Sequence, residues 1–363
     1  MPRSWRKLIN CFYQRHHTQR DTSIVSCART QNFQLSAFEL LPDEILLDIF
    51  QYITVIDLFN GFVNLNSRLN CTLHDVRIAV HIRSTEDRNK NLEMALRYFA
   101  SQIIYIYVYR YPSLDLRHFP HLRSLIIHLP TADQLASICA PFMSRLTRLR
   151  LGTIKQHYQP LVFASLFSKR QFTMLRFCNF FELDSDNIFA SSKPCLTIRT
   201  LMITHCKVND FIKLLPLLPN LHRFQVFIST VLPSTFNNPI AYHHEKLVDL
   251  DIHLPRSISQ LALIDHFLSF VPNVQRCTVH LYNLETFAEY TYLQYILTYR
   301  LNRLRHLNCL IYYSCSKANN SLMETDFDRL RVSLPFFESM HVIECTSHFY
   351  DGCVDYISMN KDL

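Results

Sequence analysis

Apolar residues recur along most of the chain as a triplet spaced x, x+3 and x+5. The triplets begin 23 to 33 residues apart and are Leu122/Leu125/Ile127, Leu146/Leu149/Leu151, Phe172/Leu175/Phe177, Ile198/Leu201/Ile203, Leu221/Phe224/Val226, Leu247/Leu250/Ile252, Val274/Cys277/Val279, Leu304/Leu307/Cys309 and Phe337/Met340/Val342. An earlier triplet, Ile103/Ile106/Val108, is a candidate first member. Because a chain that is 48% hydrophobic produces single triplets by chance, the regular interval is the signal.

The segments between the triplets have helical periodicity. Residues 257–270 and 285–299 place apolar side chains on one face at helical spacing, and Thr131 and Asn209 are suited to cap two shorter helices. The repeating unit is therefore a strand, a turn and a helix in about 26 residues. Such units bury their apolar faces only by stacking, which predicts an α/β solenoid with a parallel sheet over residues 102–350. The alternative is a non-repeating α/β domain whose strands happen to be evenly spaced.

Residues 37–83 have a different pattern, which predicts a short, all-helical domain. Pro42, Asp43 and Glu44 are typical of a helix start, because proline needs no N–H partner there and carboxylates favour the positive end of the helix dipole. Residues 45–53 then form a broad apolar face. Since about 45 residues are marginal for an independent core, this face needs cover from a partner or from the neighbouring repeats.

Charge and composition assign the remaining segments. Residues 1–36 contain six basic residues and one acidic residue, so they carry +5 of the net charge of +7 and the rest of the chain carries +2. We expect a disordered basic leader over 1–36, a helical connector over 84–101 and a C-terminal tail over 351–363. A nearly neutral body lacks the basic stripe of a nucleic-acid-binding protein, so no nucleic-acid partner is predicted.

The composition also excludes several classes of function. The chain has only three glycines, far apart, which excludes the glycine-rich phosphate loops of most nucleotide-dependent enzymes, and no cofactor is predicted. No apolar run is long enough for a membrane span, and no secretory signal follows Met1. The twelve cysteines include no C-x-x-C pair, so we expect reduced, mostly buried thiols and a cytoplasmic or nuclear protein.

Metal and catalytic motifs are not recognisable in the sequence. The segment His243-His244-Glu245 does not have the spacing of a zinc motif and is predicted to lie in a surface loop. The eighteen histidines are too scattered to indicate a cluster, so no metal site and no catalytic residue is predicted.

Two segments resemble known families. The residues that characterise an F-box occur in the expected order and spacing as Leu41, Pro42, Glu44, Ile45, Leu46, Ile49, Phe50, Tyr52, Asp57, Leu58 and Arg68. Residues 37–83 therefore resemble an F-box-like helical domain. The triplets resemble the L-x-x-L-x-L core of leucine-rich repeats, and residues 201–206 also fit the cysteine-containing variant of that repeat.

Together the resemblances imply a substrate receptor of an SCF ubiquitin ligase, which is a non-catalytic subunit. Such a chain docks on a Skp-type adaptor, and through it on a cullin, and its repeats select an unknown target protein. The implied adaptor-binding residues are Leu41, Pro42, Ile45, Leu46, Ile49, Phe50, Leu58 and Val63. The alternatives are a leucine-rich-repeat binding scaffold without a ligase role, in which the helices only cap the repeats, and an enzyme.

Strand alternation predicts which residues of the repeats would meet the target. Side chains between the triplet positions point away from the core, and the predicted target-binding residues among them are Tyr105, Tyr107, Arg148, Arg150, Arg176, Arg223, Asp249 and Asp251. Arg148, Arg150 and Arg176 would form a basic patch suited to an acidic or phosphorylated segment, apart from the acidic pair Asp249/Asp251. The alternative is that these charges are only solvated.

Overall fold

The computed structural model describes residues 38–83, 90–138, 141–167, 172–183, 193–230, 242–254, 260–282, 284, 287–314, 340–343 and 354–362. The predicted leader, residues 1–36, and the triplet residue Phe337 lie outside these ranges. None of the helices in the described ranges combines the length and the apolar character that crossing a bilayer requires.

Three short helices open the described chain. They are α1 (Asp43–Phe50), α2 (Val55–Phe62) and α3 (Ser67–Asp75). Each helix begins at a recognisable signal: Pro42 precedes α1, the Asp57 N–H donates to Thr54 Oγ1, and the Leu69 N–H donates to Asn66 Oδ1. The rings of Phe38, Phe50 and Phe62 pack together among these helices, with centroids 5.0–6.2 Å apart.

The described residues after α3 form one twelve-stranded sheet with helices between many of its strands. The strands are β1 (Ile78–Ile82), β2 (Ile103–Val108), β3 (Ser124–Ile127), β4 (Arg148–Leu151), β5 (Phe177–Leu183), β6 (Thr200–Lys207), β7 (Arg223–Thr230), β8 (Asp249–His253), β9 (Arg276–Tyr282), β10 (His306–Ser314), β11 (Met340–Ile343) and β12 (Val354–Asp362). The helices are α4 (Lys90–Tyr98), α5 (Ala132–Ser137), α6 (Gln159–Phe167), α7 (Val208–Leu214), α8 (Gln260–Ser269) and α9 (Phe287–Arg300).

Strand order follows chain order from β1 to β10, and all neighbours in this series are parallel. Each unit therefore contacts mainly the unit before it and the unit after it. The predicted α/β fold with a parallel sheet is confirmed. Of the two predicted helix caps, Thr131 forms a capping box with Gln134, whereas Asn209 lies inside α7, which begins at Val208.

The apolar triplets form the core side of this sheet. Every residue is buried in the triplets that begin at Ile103, Leu122, Leu146, Ile198, Leu221, Leu247 and Val274. In the triplet that begins at Leu304, Leu307 and Cys309 are buried and Leu304 is half-buried. These residues and the buried residues of α1 to α3 belong to one continuous core. The periodic pattern therefore identified the inward-facing side of the strands.

The buried triplet of β5 begins three residues later than the predicted triplet of Phe172, Leu175 and Phe177. The pairing of β4 with β5 sets Leu149 against Cys178 and Leu151 against Phe180, so the equivalent triplet is Leu175, Cys178 and Phe180. All three of those residues are buried, whereas Phe177 is half-buried. This segment is so rich in apolar residues that two overlapping triplets satisfy the same spacing.

At both ends of the sheet, strands occupy segments for which the sequence predicted no strand. Strand β1 lies within the range 37–83 that was predicted to be helical, and its residues alternate between buried and exposed. Helix α4 lies in the predicted connector over 84–101. At the other end, β12 occupies the predicted tail and pairs antiparallel with both β10 and β11. Strand β12 therefore separates β11, which contains the triplet residues Met340 and Val342, from β10.

The N-terminal helices are packed onto the sheet unit that follows them. Phe59 on α2 makes an edge contact with Tyr98 on α4, with ring centroids 5.8 Å apart, and His74 at the end of α3 stacks on the same Tyr98. The buried Gln102 donates a hydrogen bond to the Leu73 carbonyl. The helices are therefore joined to the repeats by both apolar and polar contacts.

Candidate functional site

The face of the sheet opposite the core, which we call the open face, carries its side chains in rows. Residues that pair from strand to strand form the first row, Tyr105, Ser124, Arg148, Phe177, Thr200, Arg223, Asp249, Arg276 and His306. The second row is Tyr107, Ile126, Arg150, Asn179, Met202, Gln225, Asp251, Thr278 and Asn308. The rows contain seven of the eight predicted target-binding residues.

Arg176 is the predicted residue that the rows do not contain. Its N–H donates to the Thr147 carbonyl, and its own carbonyl accepts from the Arg199 N–H, so it occupies the position just before β5. Phe177 and Asn179 stand on the open face instead. The physical reason is the shifted triplet frame described above. The predicted patch of three arginines therefore loses Arg176.

Aromatic side chains and two arginines cover the first strands of the open face. The rings of His81, Tyr105, Tyr107, Tyr109 and His128 form a chain of contacts with centroids 5.2–5.6 Å apart. Arg148 and Arg150 are exposed beside them. We call these seven residues the aromatic-basic patch. Tyrosine and arginine are the residue types most enriched among the energetic anchors of protein interfaces.

The two arginines carry positive charge that no neighbouring carboxylate neutralises. Within the described ranges, no carboxylate lies within ion-pair distance of Arg148 or Arg150, although the Arg148 guanidinium lies 4.9 Å from the centroid of the Phe177 ring. Burial, and then the charge of Arg150, lower the pKa of His128. Burial and the neighbouring Tyr107 raise the pKa of Tyr105, against the effect of both arginines. The patch is therefore electropositive and partly shielded from water.

The acidic pair Asp249/Asp251 has basic neighbours on the open face. Asp249 lies between two arginines of its own row, 3.2 Å from Arg276 Nη2 and 3.7 Å from Arg223 Nε. Both arginines are largely exposed, so these ion pairs contribute little stability. The predicted acidic patch is thus a mixed cluster, and Arg223 is engaged with Asp249.

Asp251 lies between two histidines of the open face. Its Oδ1 is 3.3 Å from His253 Nε2 and 3.5 Å from His280 Nε2. Burial would raise the pKa of Asp251, but the interactions with both imidazoles outweigh burial and lower it to about 2. Burial also lowers the pKa of His253, against the effect of Asp251. The group combines one carboxylate and two imidazoles in a partly buried position.

No histidine cluster was predicted, although the sequence contains a signal for this one. Asp251 and His253 are two residues apart on one strand, and His280 occupies the position paired with His253 on the next strand. Side chains two apart on a strand share a face, and paired residues on neighbouring strands are about 5 Å apart. An Asp-x-His strand followed one repeat later by a histidine in register would have indicated the cluster.

His244 corrects the expectation that His243-His244-Glu245 is a surface loop. His243 and Glu245 are exposed, but His244 is fully buried. The Leu247 N–H donates to His244 Nδ1, so Nε2 carries the proton and donates to the Leu218 carbonyl, 2.7 Å away. Burial lowers the pKa of His244, which agrees with this neutral form. The residue joins two successive repeats.

The predicted adaptor-binding residues divide into two groups. Leu46, Ile49, Phe50 and Leu58 are buried in the core, so in this conformation they cannot contact another protein. Pro42 is exposed, Ile45 is 43% exposed, and Leu41 and Val63 are half-buried. The adaptor contact stays a prediction, and in this conformation the burial of the first four side chains stabilises the helices.

Apolar residues in the segments that flank and join the N-terminal helices are also exposed, although they were not predicted to bind the adaptor. Tyr52 is 73% exposed, Leu40 is 66% exposed and Leu65 is 38% exposed. Tyr52 lies in the turn that follows α1, where its N–H donates to the Ile49 carbonyl. We call Leu40, Pro42, Ile45, Tyr52 and Leu65 the N-terminal apolar surface.

Arg68 on α3 holds the start of α1 in place. Its guanidinium donates hydrogen bonds to the carbonyls of Glu39 and Leu41 and to the Asp43 carboxylate, with Nε 2.9 Å and Nη2 2.7 Å from Oδ1. Asn66 adds a hydrogen bond to the Glu39 carboxylate. These contacts orient the segment that carries Leu40 and Pro42. Arg68, the basic residue on the last of the three N-terminal helices, therefore has a structural role.

No known family model matches the chain, and the comparison with curated proteins also finds no match.

A pocket beside α5 is a further candidate for a reactive site. Its lining includes Asp115, Arg117, Asp133 and Ser137. Asp115 accepts hydrogen bonds from the Arg117 guanidinium, which lowers the pKa of Asp115 to about 2, and Ser137 Oγ donates to the Gln134 carbonyl. A carboxylate with such a low pKa is poorly suited to acid–base chemistry near neutral pH. Arg117 therefore holds Asp115 in its ionised form.

Proposed function

We propose that the chain is the target-recognition subunit of an SCF-type ubiquitin ligase, acting in the cytoplasm or nucleus. In this proposal the N-terminal helices are an F-box that docks on a Skp-type adaptor, and through it on a cullin. The repeats are leucine-rich-repeat-like and bind the target through the open face. The chain itself carries out no chemistry; it holds the target near the ubiquitin-conjugating enzyme and so raises the effective concentration of the acceptor lysine.

The observation that carries the proposal is the exposure of apolar side chains on a small helical domain placed before an ordered sheet. Ile45 on α1 is 43% exposed, and Tyr52 in the turn after α1 is 73% exposed. A cluster of exposed apolar residues on a soluble domain is typical of a protein-binding site. The order of F-box residues from Leu41 to Arg68 in the sequence supports the same assignment.

The adaptor contact is tested with the double variant Ile45→Asp/Tyr52→Asp. We expect the variant to bind a purified Skp-type adaptor at least about a hundredfold more weakly, because truncating an interface anchor costs about 2–4 kcal/mol and 1.4 kcal/mol is tenfold in affinity. Both side chains are exposed, so the fold is expected to survive. Affinity is measured by calorimetry, and folding by circular dichroism and thermal unfolding.

The matched control is Tyr292→Asp/Tyr299→Asp on α9. These exposed tyrosines have the same seven-residue spacing and lie on a different helix. The control is expected to bind the adaptor as the unmodified chain does. The adaptor proposal fails if the unmodified chain does not bind a Skp-type adaptor, or if the α1 variant binds it as well as the control does.

The target contact is proposed for the aromatic-basic patch, with an acidic or phosphorylated segment of the target as its ligand. Arg148 and Arg150 are exposed, adjacent in the two rows, and positioned to bind carboxylate or phosphate oxygens in a bidentate manner. Tyr105 and Tyr107 supply rigid aromatic surface beside them. Asp249 is paired with Arg223 and Arg276, and Asp251 lies between two histidines, so we assign neither of them a contact with the target.

Cells depleted of the chain test this contact, because targets of the ligase accumulate in them. Re-expression of the unmodified chain is expected to return those proteins to their normal levels, whereas Arg148→Ala/Arg150→Ala is expected to leave most of the accumulation in place. The control Arg145→Ala/Arg303→Ala removes the same charge from exposed turns outside the strands. Quantitative proteomics gives the measurement, and equal rescue by both double variants would argue against the patch.

A scaffold without a ligase role is the second candidate, and one observation favours it. The buried residues of α1 and α2 belong to the same core as the first strands, so these helices also cap the sheet. If the helices serve only as a cap, Ile45→Asp/Tyr52→Asp would leave the levels of all bound proteins unchanged. The adaptor titration described above separates the two functions directly.

A further inference from the structure

The parallel ladder places three possible metal ligands at one point of the open face. Alternation on β8 sets Asp251 and His253 on the same side, and the pairing of β8 with β9 sets His280 directly beside His253. The ligand atoms of the three residues all lie within 4.8 Å of one another. Two strands of the rigid sheet, rather than loops, hold all three ligands.

The distances within the group suit a shared cation better than a hydrogen-bonded ion pair. The two histidine Nε2 atoms are 3.3 and 3.5 Å from the same oxygen, Asp251 Oδ1. Charge-assisted hydrogen bonds are usually about 2.7–2.9 Å long, whereas ligands about 2.0–2.1 Å from a tetrahedral metal ion are about 3.3 Å apart. In the described part of the chain, Oδ1 is buried without a hydrogen bond of acceptable geometry.

Stacking holds the two imidazole rings in position. His253 and His280 are nearly parallel, with ring centroids 3.4 Å apart and an angle of 13° between the planes. The Phe227 ring stacks on the other side of His253, with a centroid distance of 3.6 Å. This arrangement restricts ring rotation and directs both Nε2 atoms toward Asp251. Because the lone pair of each Nε2 lies in the plane of its ring, binding one ion through both nitrogens requires the two rings to tilt away from this parallel stack.

We propose that Asp251, His253 and His280 bind a divalent transition-metal ion, with Zn²⁺ as the preferred ion. Two imidazole nitrogens and one carboxylate oxygen are a donor set that zinc accepts in tetrahedral geometry. The three residues supply three ligands and leave the fourth position to water or to a side chain of a bound protein. The site is independent of the ligase proposal, because it depends only on these residues.

The metal site is tested on the full-length chain after it has been freed of metal with a chelator. Isothermal titration with Zn²⁺ is expected to show binding at this site, and Co²⁺ is expected to give the visible absorption of a tetrahedral complex. Each of Asp251→Asn, His253→Gln and His280→Gln is expected to weaken this binding by at least about a hundredfold, since loss of even an outer-shell partner costs about 10- to 100-fold. The control is His205→Gln, which changes an exposed histidine on β6 and is expected to bind as the unmodified chain does.

X-ray absorption at the zinc edge of the unmodified chain gives a second measurement that needs no substitution. Two imidazole ligands and one carboxylate are expected. The proposal is overturned if the unmodified chain takes up no Zn²⁺, if the spectrum lacks imidazole ligands, or if all three ligand variants bind as tightly as His205→Gln. Zinc is also expected to raise the melting temperature of the unmodified chain but not that of Asp251→Asn.

Discussion

Replacing Phe50 with alanine is expected to lower the free energy of unfolding by about 4 kcal/mol. Phe50 is fully buried at the end of α1, and its ring contacts those of Phe38 and Phe62. Truncation of a buried phenylalanine removes its apolar surface from the core and leaves a cavity, which together cost about 3–5 kcal/mol. Urea unfolding followed by circular dichroism measures the change.

The control for Phe50 is Tyr52→Ala, two residues along the chain. Tyr52 is 73% exposed, so its truncation is expected to change the free energy of unfolding by no more than about 0.5 kcal/mol. A Phe50 variant as stable as the Tyr52 variant would contradict the packing described here. The pair also separates two roles, because Phe50 stabilises the helices whereas Tyr52 is available to a partner.

Replacing Gly152 with alanine is expected to lower the free energy of unfolding by about 3 kcal/mol. Gly152 follows β4, and its N–H donates to the Ile127 carbonyl at 2.7 Å. A Cβ atom at this position would lie 2.1 Å from the His128 carbonyl oxygen, and backbone cannot move aside as a flexible side chain can. Forcing extra atoms into a packed region usually costs about 1–3 kcal/mol, and the clash with backbone places this site at the upper end.

Gly61→Ala is the matched control for that prediction. Gly61 lies within α2, where alanine has the higher helix propensity, by about 1 kcal/mol. We therefore expect this substitution to leave stability unchanged or to raise it. Thermal unfolding of both variants gives the comparison, and a Gly152 variant as stable as the Gly61 variant would show that β3 and β4 are not so closely packed.

The inward-facing side of most strands could be predicted from the sequence. Strand side chains alternate, and a buried face requires apolar residues at every second position, so triplets such as Leu247, Leu250 and Ile252 identify both the strand and its core side. The interval of about 26 residues then predicts stacked units and a parallel sheet. The same alternation identified Arg148, Arg150 and Asp251 as open-face residues.

The frame of β5 and the extent of the sheet could not be predicted from the sequence. Around Phe177 two overlapping triplets have the same spacing, and only pairing with β4 distinguishes them. Strand β1 is short and follows three helices directly, so its alternation was hidden in a segment with helical character. The antiparallel pairing of β12 depends on which edge of the sheet is free, and no local pattern contains that information.

The sequence by itself determined the repeat, the helical start of the described chain and most of the residues on each face of the sheet, because those follow from local periodicity. Only the tertiary structure decided which apolar residues in and just after α1 are buried and which, like Ile45 and Tyr52, remain exposed. It also decided that His280 lies beside His253 and Asp251, 27 residues away along the chain from His253. Both outcomes depend on the register between elements, and register is set by the packing of the whole sheet.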